Sequence, residues 1–171
     1  MIRDLEFNPA AIEDVAAIWL LLQQGIRLRR SQGSKQWQDG YPNPETVEED
    51  IRQDAGFVLC EGDQVIAYVA LMVNGEPEYD NIQQGSWKGV GDYLVFHRLA
   101  VSEDYLGHGL GKRMFLEIER HARKLGVKNL RADTSFDNGA MLAIFEKKGY
   151  SYCGKVYFRG QERLAYEKVL E

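Results

Sequence analysis

The stretch from Tyr93 to Leu125 constrains this chain more than any other. Tyr93 to Val101 is an apolar run that reads as a strand. The turn Leu106-Gly107-His108-Gly109-Leu110-Gly111-Lys112 follows within a few residues. Leu110, Met114, Ile118, Ala122 and Leu125 then recur at helical spacing, and Gly126 stands in the position that ends a helix. A strand, a glycine turn and a helix in succession make a ready anion site. The first N–H groups of the helix have no internal partner, the helix dipole makes that end positive, and glycines let a ligand approach the backbone.

Two common anions are excluded by counting. A phosphate loop of the form G-x-x-x-x-G-K-S/T, counted back from Gly111-Lys112, puts Leu106 where its first glycine belongs and Arg113 where a hydroxyl should hold magnesium. A dinucleotide turn of the form G-x-G-x-x-G, begun at Gly107 and Gly109, ends on Lys112. A glycine turn with no ligand is the structural alternative, and the turn by itself does not dismiss it.

The remaining chain is read by its periodicities. Ile2 to Phe7 is a short first strand, and Asn8-Pro9 signals a helix start. Ile12, Val15, Trp19, Leu22 and Ile26, with Ile18 beside them, form one face of an amphipathic helix that gives way near Arg29 to Gly33. Lys35 to Pro44 is irregular but carries Trp37 and Tyr41, and Glu45 to Gln53 is a short acidic helix. Phe57 to Cys60 and Val65 to Val73 flank a hairpin turn at Glu61 to Gln64. Asn74 to Asp92 is polar and long for a structureless connection, as functional or mobile loops are. Leu130 to Thr134 is a strand, Asn138 to Lys148 a helix, and Tyr150 to Phe158 with Arg163 to Val169 a closing hairpin. Residues 1–171 therefore read as one α/β (α+β) domain, a mixed sheet with helices on its faces.

Composition narrows the class further. With 44% hydrophobic and 27% charged residues the chain is ordinary for a globular protein. Met1-Ile2-Arg3-Asp4-Leu5-Glu6 lacks the basic start and apolar run of a secretory signal, and no apolar stretch is long enough to cross a bilayer. Cys60 and Cys153 lack metal-ligand spacing and sit in strand sequence, as reduced thiols of a cytoplasmic protein do. No metal is expected. The net charge of −5 speaks against nucleic acid and agrees with a cationic substrate.

The run from His97 to Gly111 resembles the acetyl-CoA-binding motif of the GNAT N-acetyltransferase superfamily, a hydrophobic strand, a short connection and Arg/Gln-x-x-Gly-x-Gly/Ala. Asn138 to Tyr150 is similar to that family's second signature, N-x-x-A-x-x-L-Y-E-K-x-G-F. The resemblance covers most of the chain. It implies a mixed, mostly antiparallel sheet of about six or seven strands with helices on both faces, and acetyl-CoA as cosubstrate. Two positions depart from the pattern. Leu106 replaces the usual Arg or Gln at a place that serves mainly through its backbone. Phe145 replaces a tyrosine held to protonate the departing thiolate, and phenylalanine has no proton to give.

The resemblance further implies that the strand Tyr93 to Val101 splays from the strand Leu130 to Thr134. The pantetheine arm would pair near Leu99, Ala100 and Val101, and the pyrophosphate would rest on N–H groups of Leu106, Gly107, His108, Gly109, Leu110, Gly111 and Lys112. Asn138 and Phe145 would border the cofactor, Asn138 also serving as a helix cap. His97 is the candidate base for the acceptor amine, since an imidazole titrates near pH ~6.5 and strand alternation puts it on one face with Leu99 and Val101. A histidine bonded within the sheet is the structural alternative. His108 would serve through its backbone, and His121 is expected on the exposed side of its helix. Trp37, Tyr41 and Tyr93 are candidates for the acceptor site, against the alternative that they anchor loops or fill the core. The expected activity is transfer of the acetyl group to a primary amine of a small molecule or peptide. A non-catalytic acyl-CoA-binding module is the rival, and pairing of exposed strands into a homodimer is a further expectation.

Overall fold

In the computed structural model residues 4–171 are described, so Ile2 of the expected first strand lies outside them. Seven strands form one mixed, mostly antiparallel sheet: β1 (Leu5–Pro9), β2 (Gly56–Glu61), β3 (Gln64–Val73), β4 (Tyr93–Val101), β5 (Asn129–Thr134), β6 (Ser151–Phe158) and β7 (Gln161–Val169). Their order is β1-β2-β3-β4-β5-β7-β6. The helices are α1 (Val15–Ser31), α2 (Pro44–Arg52), α3 (Leu110–Leu125) and α4 (Gly139–Lys147). The chain falls into two compact units, one of residues up to Leu71 with Arg98–Glu117, the other of Met72–His97 with Ile118–Glu171. The division cuts β4 between His97 and Arg98.

In the first unit, Ile18, Leu21 and Leu22 of α1 pack with Val47 of α2, Val58 of β2, Tyr68 of β3 and Ala100 of β4. Asn8-Pro9, expected at a helix start, instead belongs to β1, opposite Val58 and Phe57. Proline is tolerated there because β1 ends the sheet order, and an edge strand does not need every N–H. Ile12 consequently lies in a 3-10 turn (Ile12–Asp14) ahead of α1 and is 59% exposed. The buried stripe of α1 thus runs through Ile18, Leu21 and Leu22 rather than starting at Ile12. Asn43 caps α2, its side chain accepting from the Thr46 N–H at 2.9 Å, with Pro44 at the first helical position.

In the second unit, Tyr79, Tyr93, Val95, Val156 and Ala165 form the buried cluster. β7 pairs antiparallel with both β5 and β6. The segment from Asn74 to Asp92 is not the open loop its composition suggests. It holds a 3-10 turn (Pro77–Asn81), and Gln83 bridges Lys155 on β6. The N–H groups of Lys88 and Gly89 donate to Glu167 at 2.6 and 2.7 Å, and Trp87 lies on the Arg131 guanidinium, 4.6 Å from its ring centre. A Cβ on Gly85 would come within 1.9 Å of the Cys153 carbonyl oxygen, so that glycine permits the close approach. Backbone groups of this segment thus bond to residues distant in the chain, while most of its polar side chains face solvent.

Candidate functional site

The glycine turn takes shape from its backbone. Ser102 caps a 3-10 turn (Glu103–Tyr105), whose Tyr105 hydroxyl donates to Glu61 at 2.5 Å and ties the segment to β2. Gly107 and Gly109 then adopt φ of 80° and 77°, with open space around each. Conformation rather than crowding calls for glycine here. The N–H of Arg113 reaches the Gly109 carbonyl at 3.0 Å as the first turn of α3 closes, so those of Leu110, Gly111 and Lys112 lead the helix. Leu106, Gly107, His108 and Gly109 are exposed while Leu110 is buried and anchors the helix. Leu106 is 68% exposed.

β4 changes character along its length. Its parallel ladder with β5 joins Tyr93, Leu94 and Val95 to Asn129, Leu130 and Arg131, and among the described residues it goes no further. Arg98 has φ of 56°, a left-handed conformation unusual for a side chain of this size. Its guanidinium meets Asp50 of α2 through two bonds of 2.9 and 2.5 Å, and donates to the Tyr41 hydroxyl at 2.5 Å. Tyr68 donates to the same carboxylate at 2.5 Å. Burial disfavours the Arg98 charge, but Tyr41 and Asp50 outweigh it and hold the guanidinium protonated. The left-handed residue interrupts the regular pleat on which simple strand alternation past His97 rests.

His97 sits in a largely buried polar cluster of the second unit. Its Nε2 is 2.7 Å from Glu76 Oε2, and its Nδ1 is 3.8 Å from Asp133 Oδ2. The Tyr79 hydroxyl donates to Asp133 at 2.7 Å, and Arg163 Nε lies 4.0 Å from the other carboxylate oxygen. Rings of Tyr79 and Phe158 pack 6.0 and 5.9 Å from the imidazole. Burial pushes the Asp133 carboxyl up, partly opposed by His97, Tyr79 and Arg163. Burial and then Asp133 push the Tyr79 phenol well above its usual range.

The other expected site residues have these places. Asn138 is the cap of α4, its side chain accepting from the Met141 N–H at 3.2 Å. Phe145 is fully buried, stacked on Tyr166 at 4.7 Å and near Tyr150 at 5.3 Å, so its ring offers no surface to a ligand. Tyr93 is a buried core residue with the Arg131 guanidinium 4.2 Å from its ring centre. Trp37 packs on the first unit's core and lies over Gly25 of α1, and Tyr41 is bound to Arg98. Leu99 and Val101 are half-buried and Ala100 is buried in that core. His121 is half-buried rather than exposed, and burial lowers its proton affinity. Both cysteines are free, and among the described residues no group of three or more His, Cys, Asp or Glu could hold a metal ion.

Sequence reasoning did not find Glu76, Asp133, Asp50 or Tyr68. A signal existed for Asp133 and Arg98, which are charges inside otherwise apolar strands and so need partners. Glu76 and Asp50 gave none, being acids in polar surroundings.

Comparison with known proteins identifies the family and the fold. The family model described as "Acetyltransferase (GNAT) family" matches residues 22–150. An uncharacterized N-acetyltransferase, YesJ, of Bacillus subtilis (strain 168) is 28% identical over 149 residues, covering 85% of this chain and 81% of that protein. The crystal structure of a GNAT-family acetyltransferase from Streptococcus agalactiae 2603 is 34% identical, with a TM-score of 0.88 over 100% of this chain and 98% of that one. The NatC complex bound to Gag peptide and CoA contains a chain of the same fold, at 14% identity and a TM-score of 0.69 over 98% of this chain and 99% of that one.

Proposed function

Because the chain belongs to the acetyltransferase (GNAT) family and is an acetyl-CoA-dependent N-acetyltransferase, we propose that it acetylates a primary amine of a small molecule or peptide by direct attack. The observation that carries this reading is the exposed glycine turn, whose backbone leads into the unpartnered N–H groups of α3.

Acetyl-CoA supplies an acetyl group activated as a thioester. The turn from Leu106 to Lys112 would hold its pyrophosphate: Leu106 to Gly109 are exposed, and although the Leu106 and His108 N–H groups already bond to the Glu103 and Tyr105 carbonyls, those of Leu110, Gly111 and Lys112 lead α3. Leu99, Ala100 and Val101 would offer backbone groups to the pantetheine arm, since among the described residues β4 has no β5 ladder beyond Val95. Asn138 would reach the cofactor with its side chain, while Phe145, fully buried, would contribute only through the packing of α4. Trp37, Tyr41 and Tyr93 would contribute to acceptor binding, Trp37 and Tyr41 being half-buried and Tyr93 buried. His97 takes the proton that the attacking amine must shed, and backbone N–H groups steady the oxyanion. With Phe145 in place of tyrosine, the departing thiolate takes its proton from solvent or another group.

Residues 1–171 would act as one such domain, without metal, nucleic acid or membrane, in the cytoplasm, as a monomer or a homodimer. Calorimetric titration with acetyl-CoA tests the turn. CoA release over polyamines, aminoglycosides, amino acids and N-terminal peptides tests the acceptor class. His97→Ala should bind acetyl-CoA as the wild type does and lose about 100-fold in rate, the lower end of what a positioned base contributes. Tight binding with no CoA release from any amine would point to a non-catalytic module instead.

A further inference from the structure

The reading of His97 as the base, on which this inference rests, leaves open what gives one imidazole nitrogen the proton-accepting role. We propose that Glu76 is the positioning residue of His97: its carboxylate accepts the Nε2 proton, fixes the neutral ring with Nδ1 as acceptor, and balances the charge once the ring is protonated.

Geometry separates the two carboxylates around the ring. Glu76 is within hydrogen-bond distance of Nε2 at 2.7 Å, whereas Asp133 is 3.8 Å from Nδ1, too far for one. The His97 and Glu76 side chains are 14% and 11% exposed, so the bond is shielded from water and strengthened accordingly. Asp133 is already engaged by the Tyr79 hydroxyl, faces Arg163, and is pushed toward its neutral form by burial. Glu76 is therefore the acid that holds the ring.

The fold fixes Glu76 in turn. It caps the 3-10 turn from Pro77, and its carbonyl accepts from the Tyr79 N–H at 3.0 Å. The Glu78 carboxyl bonds to the Glu76 side chain, which raises the proton affinity of Glu78. Facing His97 are thus Glu76, Glu78 and Tyr79 from this segment and Asp133 from β5, with Arg163 of β7 behind Asp133 and the apolar Phe158 on β6.

The proton balance is simple. As the amine nitrogen forms its bond to the acetyl carbon and the carbon–sulfur bond breaks, the amine N–H proton passes to Nδ1. Nε2 keeps its proton, Glu76 remains a carboxylate, and the imidazolium later returns its proton to solvent.

Nitrogen-15 NMR of the three histidines in the intact protein, across pH, tests the proposal without an acceptor. Wild type and Glu76→Gln should both show the neutral His97 ring protonated at Nε2, because the amide oxygen still accepts. Glu76→Ala should show mixed tautomers. Both variants should titrate at lower pH than wild type, by roughly 1 unit, for loss of an adjacent negative charge. An unchanged tautomer or an unchanged titration in Glu76→Ala overturns the proposal. Glu76→Gln keeps side-chain size and guards against a merely misfolded variant. CoA release by His97→Ala reports separately: full activity removes the base role while the hold of Glu76 on the ring, read by NMR, stands or falls on its own.

Discussion

Arg98 and Phe145 show how single residues here trade local comfort for fixed geometry. Arg98 adopts a left-handed backbone, and its guanidinium is held by Asp50 and Tyr41. Both members of the ion pair are about nine-tenths buried, so neither charge can fall back on water. Replacing Arg98 with Met should destabilise the protein by about 3–5 kcal/mol, since Asp50 would remain buried and uncompensated. Urea denaturation measures this, and a loss below about 1 kcal/mol would show that Asp50 finds water or a proton at little cost. Phe145 poses the opposite case. Restoring the family's tyrosine would push a hydroxyl into the space bounded by Phe96, Tyr150 and Tyr166. Phe145→Tyr should therefore cost about 1–3 kcal/mol without raising the rate of CoA release. A faster variant of equal stability would mean that the ring can turn toward the thiolate after all.

At the scale of elements, the proposed cofactor site yields the sharpest test: the backbone of the glycine turn, not its side chains, would meet acetyl-CoA. Gly109→Ala imposes a Cβ on a φ of 77°, a strain of about 1–2 kcal/mol that the turn sheds by moving its N–H groups. Acetyl-CoA affinity should fall about tenfold by calorimetry, whereas Leu106→Ala should leave it within about twofold. Equal losses in the two variants would refute the backbone reading. The same element shows which parts of the fold are legible in the amino-acid sequence. The run from Tyr93 to Gly126 is readable because glycine positions and a 3.6-residue repeat are local rules, and α3 and β4 fall where those rules put them. Asn8-Pro9 misleads because a local helix signal yields to pairing with β2, a contact remote in sequence. The connection from Asn74 to Asp92 reads as open because its bonds to Glu167, Asn129 and Lys155 join residues far apart in the chain. The chemistry of His97 marks it out, but Glu76 and Asp133 stay hidden, since nothing in their own neighbourhoods says which ring they face.

Across the whole molecule, buried phenols set how stability responds to pH. Nine tyrosines are present, and Tyr68, Tyr79 and Tyr150 are among the buried ones. Burial, followed by a neighbouring carboxylate in each case, raises all three above the usual phenol range. Those carboxylates are Asp50 for Tyr68, Asp133 for Tyr79 and Glu119 for Tyr150. In the unfolded chain the same phenols ionise near pH ~10. Above that pH the unfolded state holds fewer protons than the folded one, so stability must decline as pH rises. Below it both states keep these protons and the three phenols contribute no slope. Burial raises the Cys60 and Cys153 thiols as well, which starts the decline slightly earlier, near the usual thiol range. His121 acts at the other end: its folded form resists protonation, so stability falls as pH drops below about 6.5. Urea midpoints from pH 5 to 11 should trace a plateau with a decline on each side. Tyr150→Phe should soften the alkaline decline, and His121→Gln should flatten the acid one. Phenolate absorbance supplies the independent check, because the folded protein should ionise fewer than its nine tyrosines until it unfolds. If all nine ionise before the urea midpoint moves, the buried hydroxyls release their protons within the fold, and the alkaline decline must come from other groups.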